Sequence, residues 1–495
     1  MTPCLSEAFD LWPEEAIEAI HAASLELLER AGARVESEKA RRLLQAAGCA
    51  EGPGGRLLVP RRAVDEALAT CPRRFTLAAR DPTRDLELDP GPAQTYVHNM
   101  GGAPDIVDPY TGATRRATMR DQVLLTRVMH QLRYQHTITS LVTPGGVPGP
   151  LEPLYSFVVL AHESDKYLGG PGISYAFQAR FLIEMAQAVT GADGSGGRYP
   201  LDLAFSPVSP LLLGATVSDA LIAAARHGGV VCEILPCPAA ATTAPGAIAA
   251  AVAQQNAEVL AGVVLAQAAA PGTPVYYGPR LSAVDPRTGV VVSGSPETGV
   301  ASVAATLLAR RYGLACDCYG PTTDSKVVDG QFAYEHAINA LLGLLARPRL
   351  LSGIGDVQAG LSTCLEALVI DDEVLNHVFY AVTPRPWDGE ALDVEAMIGG
   401  ALSGRGFLGT KHTRRFIRTE FVTPLLSYRG GLGEWLAAGR GSVLDLARER
   451  VHELVERAPV GLPEDVLAEL CRLVGAAAED AGVGSYPDPR RLLKA

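Results

Sequence analysis

The sequence predicts an α/β protein: a (β/α)8 TIM barrel with helical extensions at its N-terminal and C-terminal ends. From about residue 95, short β-rich runs alternate with longer runs of helical periodicity. This alternation implies parallel strands joined by right-handed crossovers. Eight short runs can be counted, which is the number of strands in a closed barrel. The 495 residues are enough to bury a large core.

Three segments are expected along the chain. A helical N-terminal extension covers 1–90, where apolar residues keep helical spacing between Ile17 and Leu28. The barrel covers 91–385. A helical C-terminal extension covers 386–495, where Gly-rich loops separate helical stretches such as VLDLARERVHELVERA. The length would also fit two or three separate domains.

The candidate barrel strands are short, and helical patterns follow most of them. A segment at 103–118 is typical of a hairpin inserted after the first strand, with Thr111 and Gly112 in its turn. A doubly wound open sheet is the alternative, but no G-x-G-x-x-G follows the first strand. The strands are TYVHN (95–99), HTITSLV (136–142), KYLGG (166–170), LDLAFS (201–206), VVCEIL (230–235), PVYYG (274–278), LACDCYG (314–320) and RLLSGIG (349–355).

Composition and charge argue against several classes of protein. A net charge of −12 offers no basic field to a nucleic acid. The N-terminal residues lack the apolar segment of a signal peptide, and Gln254, Asn256 and Glu258 interrupt the most apolar stretch, 247–270. We therefore expect a cytoplasmic protein. No C-x2-C pair completes a thiolate site among the nine cysteines, so we expect free thiols and no tightly bound metal.

In a barrel, substrate-binding residues lie on the loops that follow the C-terminal ends of the strands. Polar and aromatic side chains collect at these positions. No G-x-S-x-G, P-loop or H-E-x-x-H motif accompanies them. The residues at or just past strand ends include His98, Glu233, Tyr276, Tyr277, Tyr319, Asp324, Lys326 and Asp356.

Three of these residues, Tyr276, Tyr277 and Tyr319, indicate a site for a cationic organic ligand. Aromatic faces attract a quaternary ammonium through cation–π interaction, and such an ion cannot donate a hydrogen bond. Glu233 adds a carboxyl group at a neighbouring strand end. Each tyrosine taken alone is equally well explained as an amphipathic core residue with a hydrated hydroxyl.

The run YGPTTDSKVVDGQFAYEH, 319–336, places many polar groups where the seventh strand gives way to a helix. We assign Asp324 and Lys326 to catalysis, as groups that orient a ligand or exchange protons, and Gln331 to substrate binding. The alternatives are structural: Lys326 pairs with Asp324, and Asp329 caps the following helix.

Two histidines are further candidates for substrate binding. His98 ends the first strand, where a hydrogen-bonded core histidine is the default interpretation. His412 lies in GFLGTKHTRRF, a loop with several glycines that is explained equally well as a lid or partner contact and as a simple packed loop. Residue patterns alone therefore predict a barrel enzyme with a cation-binding mouth. They do not predict which reaction it catalyses.

Several stretches carry a likeness to a known family. They include RRYGLACDCYGPTTDSKVVDGQFAYEHA, AEVLAGVVLAQAAAPGTPVYYG and GRGFLGTKHTRRFIRTEFVTPLL, of which TDSKVVDGQFAYE and GFLGTKHT are the most specific. In these stretches the chain resembles the trimethylamine methyltransferase family, including its branch of glycine betaine–corrinoid methyltransferases without pyrrolysine. The resemblance covers 10–475.

The resemblance implies a (β/α)8 barrel that demethylates a methylated amine and passes the methyl group to Co(I) of a corrinoid (cobalamin) on a separate protein. The enzyme then mainly positions and desolvates the substrate. Relatives that act on trimethylamine use pyrrolysine, and the sequence contains none, so a quaternary substrate such as a betaine is expected. Its carboxylate would bind Arg280, Lys326 or His412.

A homo-oligomer is a further expectation. Two other functions stay open from the sequence. One is a non-catalytic binding or scaffold homologue, and the other is a barrel lyase or hydrolase that acts on a related amine.

Overall fold

The computed structural model describes residues 11–89, 94–385, 387–439 and 441–493. Within these ranges, each of the eight predicted strands is present, and each is parallel to its partners. The strands are β1 (Tyr96–Asn99), β2 (Thr137–Ile138), β3 (Tyr167–Leu168), β4 (Leu201–Phe205), β5 (Val230–Ile234), β6 (Val275–Tyr277), β7 (Asp317–Tyr319) and β8 (Leu350–Ile354).

A helix follows every strand. The helices are α1 (Met119–Gln131), α2 (Glu152–Glu163), α3 (Ala176–Thr190), α4 (Ala215–His227), α5 (Ile248–Ala269), α6 (Pro296–Tyr312), α7 (Gly330–Ala346) and α8 (Leu365–Val382). Local sequence sets their ends. Thr118 begins α1 in a capping box with Asp121, and Gly191 ends α3 in a left-handed conformation. Asp329 caps α7, which confirms the structural alternative for that residue.

The eight strands pair in two parallel groups. Five form a sheet in the order β3–β2–β1–β8–β7, and three form a sheet in the order β4–β5–β6. A parallel bridge between Tyr277 and Cys316 joins β6 to the start of β7. Between β3 and β4, the Gly170 backbone N–H donates to the Asp202 carbonyl at 3.0 Å. Each strand therefore lies beside its neighbours in the sequence, and β8 lies beside β1.

The N-terminal extension is helical, as predicted, but it also supplies a β-hairpin. Its helices are Glu14–Arg30, Glu38–Ala46 and Arg61–Thr70. The hairpin pairs Phe75–Leu77 with Leu86–Leu88. Its apolar side chains pack against Val231, Ala315 and Leu350, at the N-terminal ends of the parallel strands. The hairpin therefore closes that end of the strands.

The stretch predicted to be a buried helix is α5. It is long and apolar enough to cross a membrane, but 83% of its most apolar window is buried inside the protein. Its polar residues have internal partners: Asn256 Nδ2 donates to the Tyr312 hydroxyl at 2.8 Å, and Glu258 accepts from the Leu211 backbone N–H at 2.9 Å. This is the environment of a core helix.

Short strands also form in the loops. The predicted hairpin after β1 is present, with Gly112 left-handed at φ 73° in its turn. The paired segments are Arg34–Val35 with Leu212–Leu213, Ala50–Glu51 with Leu57–Leu58, Asp105–Val107 with Thr114–Arg116 and with Ser362–Thr363, Ala283–Val284 with Val291–Val292, and Arg198–Tyr199 with Phe75–Leu77. Single 3₁₀ turns lie at Pro53–Gly55, Pro82–Arg84, Gly149–Leu151 and Ser195–Gly197.

The C-terminal extension is helical, as predicted. Its helices are Val394–Leu402, Lys411–Phe416, Leu432–Ala437, Val443–Val455, Glu464–Asp480 and Pro489–Leu492. Val443–Val455 packs on α8 and α1, and Glu464–Asp480 packs on α3. Residues 387–421, which we call the arm, follow α8, and most of their side chains are exposed.

Candidate active site

A cavity of about 350 Å³ lies at the C-terminal ends of the strands, and every strand contributes to its wall. Leu77 of the N-terminal hairpin also lines it, on the side closed by that hairpin. The strand residues that line the cavity are His98 and Asn99 (β1), Thr137 (β2), Tyr167 (β3), Asp202 and Ala204 (β4), Glu233 (β5), Tyr276 (β6), Asp317 and Tyr319 (β7), and Leu350 and Ser352 (β8).

Four polar side chains form a largely buried cluster in this wall. Arg280 Nη2 donates to Asp317 Oδ2 at 2.7 Å and to Glu233 Oε1 at 3.3 Å. His98 Nε2 lies 3.0 Å from both carboxylate oxygens of Asp317, and His98 Nδ1 donates to the Asn99 carbonyl at 2.9 Å. Both ring nitrogens of His98 therefore face oxygen acceptors.

Burial and charge act differently on the two carboxyl groups of this cluster. Burial acts to raise the pKa of Asp317, but Arg280 and His98 outweigh it and hold that pKa well below its ordinary value. Burial and the adjacent Asp317 carboxylate raise the pKa of Glu233 well above its ordinary value, against the lowering effect of Arg280. Of the two carboxyl groups, Asp317 is therefore the stronger acid and Glu233 the weaker.

A second polar cluster centres on Asp202. The hydroxyls of Tyr167 and Tyr276 donate to its two carboxylate oxygens, at 2.6 and 2.5 Å. Burial raises the pKa of Asp202, and the two hydroxyl donors act against this rise. Because their hydroxyls are held by one carboxylate, both aromatic rings are fixed in the cavity wall.

Arg280 also contacts an aromatic ring. Its guanidinium carbon lies 5.2 Å from the centre of the Tyr319 ring, and Nη1 donates to the Asp317 carbonyl at 2.5 Å. The absence of a side chain at Gly278 permits the arrangement, because a Cβ there would lie 2.3 Å from Glu233 Oε1. In the sequence PVYYGPR, Arg280 therefore lies in the cavity wall although it follows the end of β6.

Glu152, in the first turn of α2, supplies a further carboxyl group. Burial raises its pKa to about 7, although Ser156 Oγ donates to it at 2.6 Å. The residue also lines a second cavity of about 490 Å³, formed by the loops after β2, β3 and β4. Glu152 therefore lies where the two spaces meet.

Part of the cavity rim is built of glycines: Gly101 and Gly102 after β1, and Gly169, Gly170 and Gly172 after β3. A Cβ added at Gly172 would meet nothing within 4 Å. The backbone is therefore open to close approach at Gly172, whereas a Cβ at Gly170 would lie 2.2 Å from the Asp202 carbonyl oxygen.

Five predicted site residues line the cavity: His98, Glu233, Tyr276, Arg280 and Tyr319. Tyr277 does not, because successive side chains of a strand point to opposite faces. Its hydroxyl donates to Asn256 Oδ1 at 3.0 Å, and its ring stacks on Tyr312 between strands and helices. The predicted position of Tyr277 at the mouth is wrong.

Asp324 was also predicted at the mouth, but it lies outside the cavity. Its carboxylate accepts from the backbone N–H groups of Ser293 and Gly294, at 3.1 and 2.9 Å, in the loop after β6. Glu335 of α7 accepts from Thr323 Oγ1 and from the Asp324 N–H. These bonds join the loop after β7 to the loop after β6.

The loop after β7 is joined to the loop after β8 as well. Asp356, which does not line the cavity, accepts from the Thr323 N–H at 3.0 Å. Gln358 and Ala359 adopt left-handed φ angles of 59° and 56°, and their N–H groups donate to the carbonyls of Ser325 and Thr323. The polar run after β7 therefore holds three neighbouring loops together.

Three more predicted residues lie away from the cavity. Lys326 is exposed, and Gln331 Nε2 donates to Glu335 Oε1 at 2.9 Å on α7. His412 lies in the arm, where Nε2 donates to the Ala391 carbonyl at 3.0 Å. The predicted positions of Lys326 and Gln331 at the mouth are wrong, because closeness to a strand end in sequence does not determine where a long loop turns. His412, predicted to bind substrate from a glycine-containing loop, does not line the cavity.

Sequence reasoning missed several cavity residues, notably Tyr167, Asp202, Asp317 and Glu152. A signal for the two aspartates was present. Each is a lone acidic residue inside an apolar strand, in LDLAF and LACDCY, where a buried carboxylate requires partners. Nothing in the sequence around Glu152 distinguishes it from an ordinary helix-start carboxyl group.

Within the described residues, no group of three or more His, Cys, Asp and Glu side chains is arranged to hold a metal ion. The cysteines of the described ranges are free, and most are buried. On α6, Thr306 Oγ1 donates to the Ser302 carbonyl at 2.8 Å and lies 3.7 Å from the sulfur atoms of both Cys316 and Cys318.

The chain matches one family model and several curated proteins. The model for trimethylamine methyltransferase matches residues 5–476. A trimethylamine methyltransferase of Desulfitobacterium hafniense is 27% identical over 482 residues, which are 96% of each chain. A glycine betaine methyltransferase of the same species is 28% identical over 481 residues, 96% of this chain and 98% of that one. The trimethylamine methyltransferase of Methanosarcina thermophila is 27% identical, over 93% of this chain and 96% of that one.

Proposed function

The chain belongs to the trimethylamine methyltransferase family and is a methyltransferase, and we propose that it demethylates a quaternary amine such as glycine betaine. The methyl group goes to Co(I) of a corrinoid on a cytoplasmic partner protein. A relative named glycine betaine methyltransferase supports this substrate class, as does a sequence without pyrrolysine. Neither a scaffold role nor lyase or hydrolase chemistry receives comparable support.

We infer that the eight strands close into a barrel. The order of pairing supports closure, because β1 lies beside β8 and each strand lies beside its sequence neighbours. The contacts between Tyr277 and Cys316 and between Gly170 and Asp202 span the two gaps between the sheets. A closed barrel also explains why residues of all eight strands line one cavity.

The observation that carries the proposal is the chemistry of that cavity. Three phenol rings and four carboxyl groups lie in its wall, a combination that suits a permanent cation. Arg280 and His98, the cationic and potentially cationic groups of this wall, are both bound to Asp317. The residues with this chemistry are Tyr167, Tyr276, Tyr319, Glu152, Asp202, Glu233 and Asp317.

The residues of the chain act by positioning. We assign Tyr276 and Tyr319 to contact with the ammonium methyl groups, and Arg280 to the substrate carboxylate. A quaternary nitrogen leaves as a neutral tertiary amine when the C–N bond breaks, so no protein group must supply or remove a proton. The corrinoid supplies the nucleophile when its carrier protein binds. The glycine rim on the β1 and β3 side fits the close approach of such a partner.

Methyl transfer tests the proposal directly. The purified protein is mixed with cob(I)alamin or a Co(I) corrinoid protein and with glycine betaine, choline or carnitine, and the methylcobalamin spectrum is followed. We expect methylcobalamin to form with at least one quaternary amine. Lys326→Ala is the matched control and keeps the wild-type rate, because Lys326 lies on the surface away from the cavity. The absence of methylcobalamin with every amine would favour the scaffold or lyase alternatives.

Tyr319 offers a sharper test of cation binding. Tyr319→Leu removes the aromatic face, and we expect KM for the quaternary amine to rise about 10-fold, since a desolvated cation–π contact contributes ~1–2 kcal/mol. Tyr319→Phe keeps the ring and is expected to keep KM within about twofold of wild type. Equal KM values for the leucine and phenylalanine variants would remove Tyr319 from the site.

A further inference from the structure

The arm, 387–421, is poorly buried. Of its residues, all of which the structure describes, Gly400 alone is buried. Ten large apolar side chains are exposed: Trp387, Leu392, Val394, Met397, Ile398, Leu402, Phe407, Leu408, Ile417 and Phe421. Together they expose on the order of 1,000 Å² of apolar surface, a large amount for a segment of this length.

The attachment of the arm separates it from the cavity. Helix α8 starts after the loop that follows β8, at the cavity end, and runs towards the opposite end of the strands. The arm joins the C-terminal half of this helix, where the Tyr380 hydroxyl donates to the Glu420 carbonyl. A partner that reaches the cavity mouth therefore approaches the other end of the molecule.

The arm carries both a cavity and projecting side chains. A cavity of about 390 Å³ lies between its two helices, lined by Met397, Phe407, Phe416 and Phe421 among others. Leu402 and Leu408 project from the same segment, 82% and 88% exposed. A hole and the groups that fill it on one surface are what a two-fold contact between identical chains requires.

The charges of the arm are also self-complementary, because acidic residues prevail in its first part and basic residues in its last part. Its first part holds Asp388, Glu390, Asp393 and Glu395. Its last part holds four basic residues, Lys411, Arg414, Arg415 and Arg418, against one acidic residue, Glu420, and Arg405 lies between the two parts. Within the arm one ion pair joins the two parts, between Glu390 and Arg415. An antiparallel pairing of two arms places the acidic part of each opposite the basic part of the other, which lets two chains of net charge −12 associate there.

We propose that the arm is a two-fold interface between two copies of this chain, with Leu402 and Leu408 of one copy seated against the aromatic cavity of the other. Its exposed apolar area is of the same order as the ~800 Å² that each partner of a standard interface buries. A second copy accounts for the self-complementary shape and charge, whereas a corrinoid protein bound at the mouth accounts for neither.

The oligomeric state tests this inference independently of methyl transfer. The mass of the wild-type chain in solution is measured by light scattering after gel filtration across micromolar concentrations. We expect two chains, or a multiple of two. Leu402→Glu with Leu408→Glu is expected to halve the mass and to weaken association roughly 100-fold or more, because both side chains would be buried at the centre of the contact. Folding is unaffected, since both residues are exposed.

A matched control and a charge exchange complete the experiment. Val290→Glu, in the exposed hairpin after β6, keeps the wild-type mass. Lys411→Glu with Arg418→Glu weakens association, and mixing it with Glu395→Lys restores it in a mixed dimer. A monomeric wild type, or an assembly that survives the leucine double variant, overturns the proposal. If the leucine double variant loses binding to the corrinoid protein but keeps its self-association, the arm is the binding surface for that partner. This result also overturns the proposal.

Discussion

Replacing Asp317 with asparagine is expected to lower the free energy of unfolding by ~3–5 kcal/mol, the cost of leaving a buried charge without its partner. Asp317 accepts hydrogen bonds from Arg280 and lies 3.0 Å from His98 Nε2, so its loss leaves the buried Arg280 guanidinium without its main anion. Methyl transfer is expected to fall on the order of 100-fold, because Arg280 and His98 lose their positions in the cavity wall.

Thermal unfolding and single-turnover methyl transfer measure the two effects. Asp480→Asn is the control for stability, because it removes the exposed pair with Arg180 and should cost less than ~1 kcal/mol. Glu233→Gln added to Asp317→Asn should lower stability further, since Glu233 is the remaining carboxyl group that can ionise beside Arg280. An Asp317→Asn variant with the wild-type melting temperature and rate would show that the cluster does not organise the site.

Raising the pH is expected to destabilise the protein through Glu152. Burial raises the pKa of this carboxyl group from 4.5 to about 7. The folded state therefore keeps a proton that the unfolded state has released, and stability falls as the pH rises through this interval. The contribution is fully present below about pH 4.5 and is lost as the pH passes 7. Its size is ~3 kcal/mol, because one pKa unit corresponds to about 1.4 kcal/mol.

Glu152→Gln should flatten this dependence, and melting temperatures at pH 5 and pH 8 measure it. A residual slope is expected from Asp356, because burial raises the pKa of that carboxyl group to about 7 as well. Glu297→Gln, at an exposed carboxyl group in the first turn of α6, keeps the wild-type slope. If Glu152→Gln keeps it too, the carboxyl group at position 152 is ionised in the folded protein.

The strands of this fold could be predicted because their sequences are short, apolar and separated by long helical runs. All eight fall within the predicted windows. The hairpin at Phe75–Leu77 and Leu86–Leu88 could not be predicted in the same way. Its strands are only three residues long, and their alternation is too brief to distinguish from a loop.

The site was predictable where a residue lies on a strand and uncertain where it lies on a loop. The positions of Tyr276 and Tyr319 follow from the ends of their strands. Whether Tyr276 or Tyr277 faces the cavity depends on which residues of the strand point inward, and a shift of one residue reverses that choice. Asp324 was misplaced because a loop carboxylate satisfies backbone N–H groups as readily as it faces a substrate. A polar loop residue can serve either purpose, and the path of the backbone determines whether it faces the cavity or a neighbouring loop.

The hairpin that closes the N-terminal ends of the strands has a kinetic consequence. In a displacement at carbon, the attacking atom and the leaving nitrogen lie on opposite sides of the methyl group, so the amine must lie deeper than the acceptor. Phe75 and Leu77 block the N-terminal ends of the strands, so on the proposed function both reactants enter from the side of the C-terminal ends. On that function, we expect the amine to bind before the carrier docks and the demethylated product to leave after the carrier departs, which is an ordered mechanism.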